Sequence, residues 1–267
     1  MVVYDDLESF YKYKDDFYRF KKVTVLKTKY SIKIDYGKKK VFLNKDAESQ
    51  GTNVLGLINR VKRDTQNYID KVGFEKGKAN DIFWSYYNDE SGMITDDADG
   101  FEVAKIDLSS AYWTKAINGG VVGSDTKKYF ETMNFKDVKE KKSARLKALG
   151  SLATVKSTEI YEYGKRSKEI VPPIVNENFR AIYMGICNEV AKDMQTVLSY
   201  FDAVYYYWDC IFVDPKHIEG VEEMFKNLGY NCTVERHKAK VFKSKYISYF
   251  SCPNMKGKTV EYSIKNN

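Results

Sequence analysis

The sequence predicts an α+β fold in which antiparallel strands pack against helices. Strand-like runs rich in β-branched and aromatic residues come in pairs separated by short turns, as in β-hairpins. Helical periodicities are mixed with these runs along the chain, with no regular alternation of strand and helix. A hydrophobic content of 43% over 267 residues is enough for one large core, or two small ones, without disulfides.

The first hundred residues predict a helix, three strands and a second helix that ends near Gly73. These elements are expected at about residues 5–20, 23–26, 30–34, 41–43 and 53–72. Residues 88–100 are acidic and rich in turn formers, so they indicate a boundary. We therefore expect residues 1–100 to form an N-terminal α+β region of unclear role.

The rest of the chain predicts a strand at 103–108 and a basic helical stretch at about 126–153. An exposed segment then ends at Pro172-Pro173. The remaining predicted elements are a helix at 176–200, a hairpin of 203–207 with 211–213, a helix at 217–228, and a basic strand region at 233–250. Residues 251–267 are expected to form a C-terminal tail.

The composition is basic and aromatic, with 44 basic residues, 37 acidic residues and 15% aromatics. Aromatic and basic side chains together suit a surface that stacks bases and neutralises phosphates, although a biased genome produces the same composition. The four cysteines are widely spaced and only two histidines accompany them, which argues against a zinc site and favours a reduced, cytosolic setting. There is no signal-peptide pattern and no apolar run of membrane-spanning length, so we expect a soluble, cytoplasmic protein with no membrane partner.

Two carboxylates stand at the ends of predicted core strands. Asp107 ends the strand at 103–108, and Asp209 lies at the turn of the hairpin. Two acids held rigidly at strand ends could bind a pair of Mg²⁺ ions, which clamp the attacking and leaving oxygens in phosphoryl transfer. Either acid alone is explained equally well as a helix cap or a turn former.

The sequence around each acid resembles a catalytic motif of family B DNA polymerases. Asp107-Leu108-Ser109-Ser110-Ala111-Tyr112-Trp113 is similar to the first motif, which runs Asp, two variable residues, Ser, Leu, Tyr, Pro. Tyr205-Tyr206-Tyr207-Trp208-Asp209-Cys210 is similar to the third motif, with Asp209 at the position of the metal-binding acid and Tyr207 at that of the first acid. The resemblance implies that Asp107, the Leu108 carbonyl and Asp209 bind two Mg²⁺ or Mn²⁺ ions.

Two further segments extend the resemblance. Lys142 and Gly150 match the Lys and Gly of the middle motif, whereas Leu146 and Leu149 replace its Asn and Tyr. Lys142 and Arg145 lie three residues apart on one helix and could grip a triphosphate, although a solvated helix has the same pattern. The family also has a Lys-x-Tyr element that contacts the primer, and Lys243, Lys245 and Tyr246 resemble it approximately.

The resemblance covers about residues 101–250 and is nearest to the protein-primed polymerases of small phages and plasmids. It implies a palm with an antiparallel sheet, short helical fingers inserted at about 120–172, little or no thumb, and no proofreading exonuclease. Ser110, Ala111 and Tyr112 would contact the incoming nucleotide, and the Tyr112 ring would exclude a 2′-hydroxyl. The implied partners are a DNA primer and template, dNTPs, and other replication proteins that supply processivity, in the cytoplasm of a bacterial host if a phage encodes the chain.

Three hypotheses follow. The first is a minimal DNA polymerase that adds dNTPs to a 3′-hydroxyl. The second is a template-independent or priming nucleotidyltransferase on the same palm, since the Asn and Tyr that bear on the templated base pair are missing. The third is an inactive DNA-binding scaffold of a replisome, since the first acid of the third motif is missing.

Overall fold

The chain folds into two compact units, each made of two separate segments. A computed structural model describes residues 1–28, 31–44, 52–72, 85–88, 90–92, 100–243, 248–253 and 257–264. The N-terminal unit comprises Met1–Lys76 and Val121–Tyr183, and the C-terminal unit comprises Gly77–Gly120 and Met184–Asn267. The chain therefore leaves the C-terminal unit after Gly120 and returns to it at Met184.

The described residues include seven α-helices. These are α1 (Phe10–Lys14), α2 (Thr52–Val72), α3 (Ala111–Asn118), α4 (Ser124–Thr132), α5 (Val138–Gly150), α6 (Glu177–Leu198) and α7 (Ile218–Asn227). None of the helices in this described part is long and apolar enough to cross a membrane.

Thirteen strands form two sheets in the described residues. They are β1 (Val2–Asp6), β2 (Val23–Lys27), β3 (Ser31–Asp35), β4 (Lys40–Asn44), β5 (Ser85–Tyr87), β6 (Phe101–Ser109), β7 (Ser157–Glu162), β8 (Lys165–Arg166), β9 (Ala203–Tyr207), β10 (Cys210–Val213), β11 (Asn231–Lys243), β12 (Ser248–Pro253) and β13 (Thr259–Ile264). The N-terminal sheet has the order β1-β4-β3-β2-β7-β8, and the C-terminal sheet has the order β13-β12-β11-β6-β10-β9-β5. All pairings between these strands are antiparallel except that of β1 with β4. The α+β class with antiparallel sheets is confirmed.

Strand β6 is the central strand of the C-terminal sheet, and its residues alternate between two cores. Ala104, Ile106 and Leu108 pack on one face in a core that includes residues of α6 and α7. Phe101 and Val103 pack on the other face with aromatic residues of β9, β10 and β12. Side chains alternate between the two faces along a strand, so residues two or four apart share a face. Asp107 therefore projects from the same face as Lys105 and Val103.

The N-terminal sheet buries one face against the short first helix. Phe10, Phe17, Val25, Ile34 and Val41 belong to this core, in which Phe17 and the three strand residues are fully buried. Several predicted elements are found in this unit. The strand prediction at 23–26 is met by β2, that at 41–43 by β4, and the helix prediction at 53–72 by α2, whereas Gly73 lies outside the described residues.

The helix predicted at 5–20 is wrong. The segment contains the end of β1, two turns of 3-10 helix and the five-residue α1. Its aromatic residues occur at roughly helical spacing, but Phe10 and Phe17 are the two that are buried, and both pack against the sheet. Tertiary packing thus overrides the local periodicity.

Two other predictions of secondary structure are also wrong. The single basic helix at 126–153 is two helices, α4 and α5, with Asp137 capping the second by accepting a 2.7 Å hydrogen bond from the Glu140 N–H. The tail at 251–267 is instead largely strand, because residues of β12 and β13 pair in register from Ser248↔Ile264 to Pro253↔Thr259.

The expected boundaries at residues 100 and 250 do not coincide with the two units, since the segment Val121–Tyr183 packs with the first segment of the chain.

Candidate active site

The two acids from the sequence motifs lie side by side at one end of the C-terminal sheet. Strands β6 and β10 pair so that Asp107 lies opposite Cys210, and Asp209 immediately precedes Cys210 in the hairpin turn. The Leu108 N–H donates a 2.9 Å hydrogen bond to the Asp209 carbonyl oxygen, which fixes the turn against the end of β6. Both acids are partly exposed. The structure therefore brings together two residues that are far apart in the sequence.

One residue with left-handed backbone angles directly precedes Asp209, and another follows Asp107 by three residues. Trp208 has φ 58° at the first position of the two-residue loop between β9 and β10, and Ser110 has φ 62° and ψ 37° at the start of α3. Positive φ is unfavourable for residues with a side chain, most of all bulky ones, and such strain concentrates at functional sites. In the described residues only Tyr163 shares this feature among the non-glycine residues.

The Cys210 thiol lies within electrostatic reach of both carboxylates. Burial raises its pKa well above the usual value, and the charges of Asp107 and Asp209 raise it further, while the Lys105 ammonium opposes them. Cys210 therefore stays a neutral thiol at physiological pH. The strand register agrees with this proximity to both acids, because Asp107 lies opposite Cys210 and Asp209 directly precedes it.

The Leu108 carbonyl oxygen completes the set of candidate metal ligands. In an antiparallel ladder the N–H and C=O of one residue point toward the same neighbouring strand. Because the Leu108 N–H points to Asp209, the Leu108 carbonyl points to that side too. Within the part of the chain that is described, no three His, Cys, Asp or Glu side chains group into a metal cluster. Two carboxylates and a carbonyl nevertheless suit Mg²⁺, which retains water and takes substrate phosphates as ligands.

No known protein-family model matches this chain, and no curated protein matches it either.

An aromatic rim borders the acids where the family motif has another carboxylate. Tyr207 lies opposite Cys210 in the β9–β10 ladder, with ring-centroid distances of 5.3 Å to Tyr262 and 6.1 Å to Trp208. Tyr207 is 41% exposed and Trp208 39% exposed. Tyr207 and Trp208 thus form a partly exposed aromatic surface that could stack against a base or a sugar.

Sequence reasoning missed three polar neighbours of Asp107 on the same face of the sheet, namely Lys105, Thr233 and Glu235. Lys105 lies two residues earlier in β6, opposite Glu235 in β11. The Glu235 carboxylate is 2.7 Å from Nε2 of His237, and the Thr233 hydroxyl donates a 3.4 Å hydrogen bond to the Asp107 carbonyl oxygen. Strand alternation from Asp107 would have identified Lys105, whereas the β11 residues depend on a register that the sequence does not show.

Helix α3 begins shortly after the end of the strand that carries Asp107. Ser110 is its N-cap residue, Ala111 is fully buried, and Tyr112 is partly buried against the core shared with α6 and α7. One turn later, the Lys115 ammonium donates a 2.7 Å hydrogen bond to Asp193 of α6, and the Tyr230 hydroxyl donates one of 2.5 Å to the same oxygen. This network ties α3 to α6 and to the start of β11, so it fixes the helix that carries Tyr112.

The middle-motif residues lie in the N-terminal unit, on α5. Lys142 is exposed, whereas Arg145 is partly buried and its guanidinium carbon lies 5.6 Å from the centre of the Phe130 ring. Burial lowers the pKa of Arg145 from its usual value. Lys141, rather than Lys142, shares that ring with Arg145, at 5.7 Å.

Gly150 ends α5, and a Cβ built on it would meet no atom within 4 Å. The position is therefore open to solvent or a ligand. Three further residues resemble the primer-contact element of the family. Lys243 is the last residue of β11 and pairs with Ser248, while Lys245 and Tyr246 lie outside the described residues.

Proposed function

We propose that the chain is a minimal, family B-like nucleotidyltransferase that adds dNTPs to the 3′-hydroxyl of a DNA primer. The observation that carries the proposal is the adjacency of Asp107 and Asp209, joined through the Leu108–Asp209 hydrogen bond of 2.9 Å. In the reaction, the primer 3′-oxygen gives up its proton to water and forms a bond to the α-phosphorus of the dNTP. The bond between that phosphorus and the α,β-bridging oxygen breaks, and pyrophosphate leaves with the bridging oxygen.

The two acids and the Leu108 carbonyl are the residues that would hold the metal. Two Mg²⁺ or Mn²⁺ ions bound there would neutralise the charge that develops on the attacking and leaving oxygens. The chain itself supplies rigidity, because Asp107 lies on a strand paired on both sides and the turn that carries Asp209 is hydrogen-bonded to that strand. Pre-positioning of this kind removes most of the entropy cost of aligning the reacting groups.

Other residues of the proposed site act on the substrates. Tyr112 would pack against the sugar and exclude a 2′-hydroxyl, with Ser110 and Ala111 forming the turn beneath it. For Lys142, Arg145 and Gly150 we propose the triphosphate contacts that the resemblance implies, and for Lys243, Lys245 and Tyr246 the primer contacts. DNA and dNTPs are thus the proposed partners, together with replication proteins that supply processivity, in the cytoplasm.

The charge of the N-terminal unit supports a nucleic acid partner. Its two segments contain 30 lysines and arginines against 19 aspartates and glutamates, a formal charge of +11. The C-terminal unit contains 14 against 18, a formal charge of −4. The basic excess of the whole chain therefore lies entirely in one unit, as is typical of an electrostatic footprint for phosphates.

One observation favours a second candidate, a template-independent or priming nucleotidyltransferase. Leu149, which replaces the motif's Tyr, is 3% exposed and belongs to the interior of its unit, whereas Leu146, which replaces Asn, is 56% exposed. A buried Leu149 offers no side chain to a templated base pair. This candidate shares the two acids and differs only in its need for a template.

Primer extension tests the proposal. Wild type should extend a labelled primer in Mg²⁺ or Mn²⁺, while Asp107→Asn and Asp209→Asn should each lose activity by roughly a thousandfold or more. Glu102→Gln, which removes an exposed carboxylate from the same strand, is the matched control and should retain activity. Extension that needs no complementary template would select the second candidate. Full activity in Asp107→Asn would overturn the two-acid site on which both candidates rest. An inactive wild type that still binds DNA would overturn both candidates and leave a DNA-binding scaffold.

A further inference from the structure

A row of side chains crosses four strands of the N-terminal sheet on the face opposite its buried core. Leu26 in β2 pairs with Lys33 in β3, Lys33 with Phe42 in β4, and Phe42 with Tyr4 in β1. Residues directly opposite each other project from the same face of a sheet. The neighbouring Val25, Ile34 and Val41, which belong to the buried core, project from the other face.

The end of this row near β1 is exposed and aromatic. Tyr4 is 73% exposed and Val2, two residues earlier on the same face, is 53% exposed. The rings of Tyr4 and Phe42 are stacked, with centroids 5.5 Å apart and an angle of 22° between their planes. The ammonium of Lys33 lies 5.7 Å from the centre of the Phe42 ring. A cation and two rings thus form one continuous strip on an open sheet face.

A neighbouring pair of residues on the same face, Lys40 and Asp35, adds charge. Lys40 of β4 pairs with Asp35 of β3, and its ammonium lies 3.6 Å from the Asp35 carboxylate, which also lies 3.9 Å from Lys33. Two lysines therefore share one acid, and both remain partly exposed. The surrounding unit has a formal charge of +11, so an incoming polyanion meets a favourable field.

We propose that this face, formed by Tyr4, Phe42, Lys33 and Lys40, is a binding platform for single-stranded nucleic acid. A base would stack on the exposed Tyr4 ring, and the two lysines would contact the flanking phosphates. Every base has a π-face, so such stacking tolerates any sequence. Sheets that carry aromatic residues on adjacent strands bind unpaired bases in this way, whereas paired bases are stacked within the duplex and unavailable.

Charge and ring geometry together select this occupant. An apolar partner would remove water from two lysines that have only the one Asp35 carboxylate between them, at a desolvation cost. A polyacidic peptide would satisfy the lysines but has no aromatic ring to cover the Tyr4 ring. A single strand of nucleic acid supplies both groups at once. The proposal does not depend on catalysis at Asp107 and Asp209, because it concerns a different unit and needs neither metal nor dNTP.

Fluorescence anisotropy with a labelled oligothymidylate of about 20 nucleotides tests the proposal. The measurement uses the full chain in EDTA with the Asp107→Asn substitution, so that the proposed active site contributes no metal-dependent binding. Tyr4→Ala should weaken binding by roughly tenfold, the loss of one stacked base. Tyr11→Ala is the matched control, because Tyr11 has the same 73% exposure but lies on α1, and it should bind as the parent does.

A charge variant gives a second, independent readout. Lys33→Gln removes one cation from the strip, so the slope of log Kd against log salt concentration should become shallower by about 0.7, the share of one neutralised phosphate. An oligouridylate tests whether the strip accepts RNA. Equal affinity for the DNA and the RNA oligonucleotide fits recognition by base and phosphate alone. The proposal is overturned if the oligonucleotide does not bind, if Tyr4→Ala and Tyr11→Ala bind equally well, or if duplex DNA or polyglutamate competes as effectively as the single strand.

Discussion

Cys210 lies directly opposite Asp107 in the ladder of β6 and β10, and Asp209 stands one residue before it. This register places the acid of one motif beside the acid of the other. A shift by one residue would turn Asp107 toward the helical core and separate the pair. The 2.9 Å hydrogen bond from the Leu108 N–H to the Asp209 carbonyl oxygen holds the hairpin turn against β6 in this register.

Replacement of Tyr112 is predicted to change the choice of sugar. Tyr112→Val shortens the side chain that would meet a 2′-hydroxyl, so the preference for dATP over ATP in primer extension should fall by about 10- to 100-fold. Tyr112→Phe keeps the ring and should retain the preference. Because Tyr112 also packs against the core, thermal melting must show that both variants are folded. An unchanged preference in Tyr112→Val would assign the ring to packing alone.

Gly150→Ala should stabilise the protein and yet weaken nucleotide use. The position has helical backbone angles, φ −60° and ψ −21°, and open space around it, so a Cβ should stabilise the fold by about 0.5–1 kcal/mol. If the Gly150 backbone approaches the triphosphate, the same Cβ should raise KM for dNTP. Gly185→Ala is the control, because Gly185 lies in α6 with equally open space and should raise Tm without changing KM. Equal KM values for the two variants would remove Gly150 from the proposed site.

The Asp193 network should contribute measurably to stability. Tyr230→Phe deletes the hydroxyl that donates a 2.5 Å hydrogen bond to Asp193. The partly buried Asp193 carboxylate then accepts fewer hydrogen bonds. Loss of a hydrogen bond to a charged group should lower the free energy of unfolding by about 2 kcal/mol. Urea denaturation measures this loss, with Tyr200→Phe as the control because Tyr200 is 71% exposed. Equal midpoints for the two variants would show that the network adds no stability.

Stability is predicted to fall at alkaline pH because of two thiols whose pKa is raised in the folded protein. Burial raises the pKa of Cys232 and of Cys252 to about 11, compared with 9.0 for a free thiol. Below about pH 9 each thiol is protonated in both the folded and the unfolded state, so its full contribution is present. As the pH rises from 9 toward 11 the unfolded state loses these protons first, and stability declines.

Cys252→Ala should reduce the steepness of this decline, whatever it does to Tm at neutral pH. The measurement is Tm as a function of pH for the variant and the wild type. Parallel curves above pH 9 would show that Cys252 ionises as readily in the folded protein as in the unfolded one.

Local sequence was sufficient to predict most of the C-terminal unit. The strand at 103–108, the hairpin with Asp209 at its turn and the helix at 217–228 are all found. Each has a strong local signal, namely an apolar run, a short turn or an amphipathic repeat. The same signals placed Asp107 and Asp209 at strand ends, which is the part of the candidate site that sequence alone could provide.

Long-range pairing was the part that could not be predicted. Nothing local shows that Thr233 and Glu235 would flank Asp107 and Lys105 on β11, since that register joins segments that are distant in the sequence. The segment at 5–20 failed for a related reason, because Phe10 and Phe17 bury themselves against a sheet rather than along one helix face. The pairing of β12 with β13 likewise converts an apparent tail into sheet.

Binding of Mn²⁺, followed by its electron paramagnetic resonance signal, tests the central claim most directly. The claim is that Asp107 and Asp209 hold divalent metal together, so the wild type and Glu102→Gln should bind Mn²⁺ more tightly when dNTP is present. Asp107→Asn and Asp209→Asn should each abolish this binding, and the double variant should lose no more, because the two acids act as one site. Unchanged Mn²⁺ binding in either single variant would contradict the claim.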